Sequence, residues 1–130
     1  MNTFKIGETE FGIGQLKFEI SEEGLLKNLE ISGNEAIFKE IFEDEKHEWS
    51  WILYPPKIYF REVNLSLDKE IIINEELLDE NEIGLYADAH FYIFGTLTIT
   101  NEFIAIKAEV EEGLTENPLL LEIYIDRNSL

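Results

Sequence analysis

The chain contains no cysteine. Without a thiol there is no disulfide framework, no thiolate zinc site and no cysteine nucleophile. Positive charge is also scarce: 10 Lys and Arg stand against 28 Asp and Glu, for a formal net charge of −18 in 130 residues. Nucleic acid and anionic membrane surfaces both require a cationic face, so neither is an expected partner. No apolar run approaches the roughly 18 residues of a membrane span. The opening Met1-Asn2-Thr3-Phe4-Lys5-Ile6-Gly7-Glu8 lacks the apolar region of a signal peptide, which leads to the expectation of a cytoplasmic protein. Glycine-rich phosphate-binding loops and the nucleophile-elbow pattern are missing as well, so no enzyme is expected.

What is present is a chain built to fold. It is 45% hydrophobic and 12% aromatic, too apolar for intrinsic disorder, and its length suits a single domain over residues 1–130. Like charge at this density weakens the compact state through self-repulsion, and a basic partner would relieve it. The acids are also unevenly placed. Between Lys69 and Lys107 there is no cation, yet Glu70, Glu75, Glu76, Asp79, Glu80, Glu82, Asp88 and Glu102 fall there. A second cluster, Glu40, Glu43, Asp44, Glu45 and Glu48, has only Lys39 and Lys46 to offset it.

Alternation of apolar and polar residues with period two dominates, as in half-buried strands. From Ile83 to Ile99 the odd positions are nearly all apolar, which is long for one strand and predicts a bend or bulge near Gly95. Thr100-Asn101-Glu102 reads as a turn, and Phe103–Val110 returns with Ile104, Ile106, Ala108 and Val110 inward. Further strands are expected at Gln15–Ile20 with Leu16, Phe18 and Ile20 inward, and at Leu25–Ser32, Trp49–Tyr54, Lys57–Val63, Glu70–Ile73 and Leu119–Ile125. Pro55-Pro56 separates two strands or marks a sheet edge. One helix is predicted over Asn34–Glu43, capped by Asn34, with Ile37, Phe38, Ile41 and Phe42 on one face. Leu77-Leu78 suggests a further short helical turn. The sum is a mainly β (α+β) fold: an antiparallel two-sheet sandwich or flattened barrel with one packed helix.

Candidate chemistry centres on Asp88, His90 and Tyr92, which share one strand face. His47 is the sole other histidine and nothing in the sequence places it nearby, so no metal site is expected. Carboxylate pairs are unavoidable among so many acids and carry no information about glycoside hydrolysis. Asp79-Glu80-Asn81-Glu82 lacks the glycine and the closing glutamate of a calcium loop, and no cofactor is expected. The run Trp49-Ser50-Trp51-Ile52-Leu53-Tyr54 is apolar on both strand faces, as a covered central strand would be. Tyr86, Tyr92 and Phe94 differ: they fall among Asp88, His90, Thr96 and Thr98, a mixed face that suits either a protein-binding patch or a covered surface.

In size, acidity, lack of cysteine and lack of a catalytic motif, the chain resembles the immunity proteins of bacterial toxin systems. That resemblance implies a cytoplasmic inhibitor of a basic toxin domain, with electrostatics speeding encounter and excluding wrong partners. The expected partner-binding residues are Glu75, Glu76, Asp79, Glu80, Glu82, Tyr86, Asp88, His90 and Tyr92. Two alternatives stay open. One is a small-molecule-binding barrel or sandwich lined by Trp51, Tyr54, Tyr59 or Tyr92; the other is a nucleic-acid mimic with carboxylates in regular rows.

Overall fold

Apolar side chains at alternate positions require strands that share a core, and the computed structural model of the protein places them so. It describes residues 2–43, 55–87, 90–111 and 119–129. Along these run β1 (Thr3–Ile6), β2 (Thr9–Glu10), β3 (Ile13–Ile20), β4 (Leu26–Gly33), α1 (Glu35–Glu43), β5 (Lys57–Arg61), β6 (Glu70–Ile73), α2 (Glu75–Glu80), β7 (Glu82–Tyr86), β8 (His90–Ile99), β9 (Phe103–Glu111) and β10 (Leu119–Asp126). The strands follow the order β2-β1-β10-β9-β8-β7-β5-β4-β3, with β6 branching from β8. Every described pairing is antiparallel.

The fold is mainly β, a curled antiparallel half-barrel sheet with few helices. The pairing forms one continuous path rather than two separate sheets laid face to face. Strand β8 makes this possible, because its length serves both halves. His90 and Phe91 pair with β7, residues 95–98 pair with β6, and β9 takes the opposite edge. The curl brings Phe4, Ile93, Ile106 and Ile123 from one half into the same core as Leu29, Ile31, Ile58, Phe60 and Leu85 from the other. Gly95 permits the close approach of β8 and β9, where it pairs with Ala108: a Cβ there would run into the Lys107 carbonyl and Ala108.

Gly95 stays inside β8, whose register with β9 runs without a shift, so the expected bulge is not there. The chain reverses after Tyr86, where the alternation had read as one continuous run. Tyr86 pairs with His90 and Leu85 with Phe91, so paired residues share the same parity. The alternation therefore reads straight through the reversal and conceals it. The next hairpin pairs Ile99 with Ile104, which flips the parity and made that turn visible. Strand β3 departs in another way. Leu16 and Phe18 pack half-buried against the core, but a register shift between Glu19 and Ile20 leaves Ile20 exposed.

Both described α-helices begin on asparagine. Asn34 Oδ1 accepts from the Ala36 amide at 2.9 Å, and Asn74 Oδ1 accepts from the Leu77 amide at 2.9 Å. Buried Phe38 fastens α1 by stacking on Phe11 (6.2 Å between centroids), which meets Phe4 edge-on. Leu77 and Leu78 fasten α2 to the core. The short strands β1 and β2 were not expected from the sequence. Phe4 and Ile6 of β1 are buried, and β1 pairs with β10 near the other end of the chain. The expected strand Trp49–Tyr54, together with His47, Asp44, Glu45 and Glu48, lies outside the described residues.

Candidate functional site: an aromatic and acidic outer face

In antiparallel pairing, directly opposed residues point to the same side of the sheet. Lys57 opposes Tyr86, Tyr59 opposes Gly84, and Arg61 opposes Glu82 across β5 and β7. Tyr86 in turn opposes His90 on β8. Tyr59, Arg61, Glu82, Tyr86 and His90 therefore share the outer face, away from the core formed by Ile58, Phe60, Ile83 and Leu85. Tyr92 and Phe94 continue that face along β8, since they alternate with buried Ile93.

The contacts in this group are close. The Tyr59 hydroxyl lies 3.0 Å from His90 Nδ1, with the two rings edge-to-face. The Tyr86 ring sits 4.9 Å from His90 between centroids. The Arg61 guanidinium stands 4.4 Å above the Tyr59 ring and donates to Glu82 Oε1 at 2.9 Å. Gly84 leaves the room that the Tyr59 hydroxyl occupies, because a Cβ would come within 2.8 Å of it. Tyr59 is only 6% exposed. That burial pushes its hydroxyl above the ordinary phenol range, the Arg61 cation opposes the shift, and Glu82 adds to it. Tyr59 therefore stays protonated and donates to a neutral His90 or accepts from a charged one. The group is a surface aromatic cluster in which the Tyr59 hydroxyl meets the exposed His90 imidazole.

Eight of the nine expected partner-binding residues lie within the described chain, and Asp88 lies outside it. Glu75, Glu76, Asp79 and Glu80 project as exposed side chains from α2, while Leu77 and Leu78 turn toward the core. None of these four carboxylates has a salt bridge among the described residues. Glu82 does not belong with them, because Arg61 neutralises it. Tyr86, His90 and Tyr92 are brought together on the outer face, with Tyr92 64% exposed and no helix or second sheet over it among the described residues. Phe94 is half-buried.

Charge divides across the sheet. Around β4 and β5 the acids meet cations: Lys57 holds Glu30 at 2.8 Å, and Arg61 holds Glu82. The Lys57 hydrogen bond holds Glu30 below the usual carboxylate range, against a burial that would raise it. Arg127 is turned inward on the fold, donating to the Thr100 carbonyl at 2.7 Å and lying 5.0 Å over Phe18. Sequence reasoning did not pick out Arg61 or Glu30. The available signal was the alternation Lys57, Tyr59, Arg61 against buried Ile58 and Phe60. An open cleft of about 350 Å³ lies beside Lys17, Glu19, Asn28, Glu30 and Arg61, apart from His90. Among the described residues no group of three or more His, Asp or Glu is placed to hold a metal ion, and no helix is long and apolar enough to cross a membrane. No protein-family model matches the chain, and no curated protein or solved structure is found to match it.

Proposed function

We propose that this chain is a non-catalytic acidic binding protein that neutralises a basic protein partner, as a cytoplasmic immunity protein inhibits its cognate bacterial toxin. One observation carries the reading: α2 presents Glu75, Glu76, Asp79 and Glu80 without described ionic partners, while Tyr86 and Tyr92 stand exposed on the face of the adjoining strands. Exposed aromatic anchors bordered by uncompensated charge form the usual anatomy of a specific protein contact. The carboxylates steer a cationic surface inward, and the tyrosines supply the contact that lasts.

The test starts from the reading frame next to this one, which the proposal expects to encode a basic domain. Co-expression should restore growth of cells carrying that domain, and the purified pair should form a stoichiometric complex. Its affinity should fall as salt rises from about 0.05 M to about 0.5 M, because screening shortens the reach of surface charge. Absence of a complex, or an affinity indifferent to salt, would refute the proposal.

A further inference from the structure

The outer face extends beyond the residues that the acidic pattern singles out. Across β10, β9 and β8, Leu120 opposes Glu109, which opposes Phe94; beside that row Tyr92 opposes Glu111. On the other edge of β8, Ile72 of β6 opposes Thr96. Leu120 is 63% exposed and Ile72 57%, comparable with Tyr92. Single exposed apolar residues need no explanation, but here three of them converge on one side of one sheet around Phe94. Directly opposed Cβ atoms in such a sheet lie about 5 Å apart, so these side chains form a continuous strip. Glu109 and Glu111 run through it, neither with a salt bridge among the described residues. Ile72 also lies two residues before Asn74, which caps α2, so the acidic helix departs from the border of the strip.

We infer that this strip is a docking surface for a cationic protein segment whose Lys or Arg side chains alternate with apolar anchors. The inference rests on the proposed function and specifies where the partner sits. Charge selects the occupant. A second copy of this chain would offer Glu109 and Glu111 only one cation of that strand face, Lys107, along with the same two acids, whereas a cationic segment satisfies both while its apolar side chains cover Tyr92, Phe94 and Leu120. Glu109 and Glu111 are two residues apart on one strand, about 7 Å, which matches the spacing of alternate side chains in an extended segment.

The experiment titrates two synthetic peptides of equal length and charge, one alternating Arg with Leu and one alternating Arg with Ser, into the isotope-labelled full chain. The Arg–Leu peptide should bind about tenfold more tightly, a difference of about 1.4 kcal/mol. Its amide shifts should concentrate in β8, β9 and β10. The exposed-site double variant Tyr92→Ala, Leu120→Ser should erase that preference while keeping the native spectrum elsewhere. Equal affinity for the two peptides, or shifts confined to α2, would overturn the strip and leave the acidic-binding function standing. Self-association lost in the same double variant would assign the face to a second copy and likewise overturn the inference. If the neighbouring reading frame encodes no basic domain, or one that fails to bind, the functional proposal falls as well.

Discussion

A methyl group added at Gly84 would lie 2.8 Å from the Tyr59 hydroxyl, 3.2 Å from the ring carbon bearing it and 3.1 Å from the Phe91 carbonyl. The phenol is rigid and its ring is buried, so in Gly84→Ala the hydroxyl has to retreat from His90 Nδ1, 3.0 Å away. Overpacking of this kind costs about 1–3 kcal/mol. The hydrogen bond is worth about 1 kcal/mol net, and less here because His90 is exposed and can turn to water. Removing a strand glycine returns about 0.5–1 kcal/mol of unfolded-state entropy. The balance is a loss of about 1–2 kcal/mol, read as a lower urea midpoint at unchanged slope. Tyr59→Phe removes the crowding atom. The double variant should then be less destabilised than the sum of the two single changes, by about 1 kcal/mol. In both single variants the His90 Nδ1 resonance should move in the same direction, since each loses the same hydrogen bond. Additive costs, or a Gly84→Ala chain as stable as the original with an unmoved His90 resonance, would refute the described packing of this face.

Two further outcomes follow from the geometry. Gly95→Ala should prevent or severely weaken folding, seen as loss of a cooperative thermal transition, because its Cβ meets the β9 backbone rather than a movable side chain. Glu30→Gln should cost about 0.5 kcal/mol at neutral pH, as expected for a partly exposed ion pair with Lys57. Glu30 is depressed below the usual carboxylate range, so its contribution is complete above the unfolded-state value and is lost as pH falls through the folded one. The stability gap between the two proteins should therefore close in acid, and a gap that persists at low pH would contradict the assignment.

The strand at Glu70–Ile73 is legible from its sequence to the residue, and the ends of β3, β4, β9 and β10 to within two positions. Alternation reports which residues face the core, and in those segments the facing is decided locally. The same signal hid the reversal after Tyr86, because the Tyr86–His90 register preserves parity. It was also too short to reveal β1 and β2, which exist through their pairing with β10 and with each other. For the candidate site, the shared face of Tyr86, His90 and Tyr92 followed from parity alone. The contribution of Tyr59 and Arg61 did not, because β6 and α2 intervene in the chain before β7 comes to lie beside β5.

The amino-acid order by itself determined the surplus of negative charge, the two-residue rhythm of burial and the asparagine start of α1. These are properties of composition and of near neighbours along the chain. Only the tertiary structure decided which acids remain uncompensated. It set Arg61 against Glu82 and Lys57 against Glu30, while leaving the α2 carboxylates, Glu109 and Glu111 without a described salt-bridge partner. The physical reason is that a charge count totals the ions without pairing them. Pairing depends on strand order, which is chosen by long-range packing around the shared core.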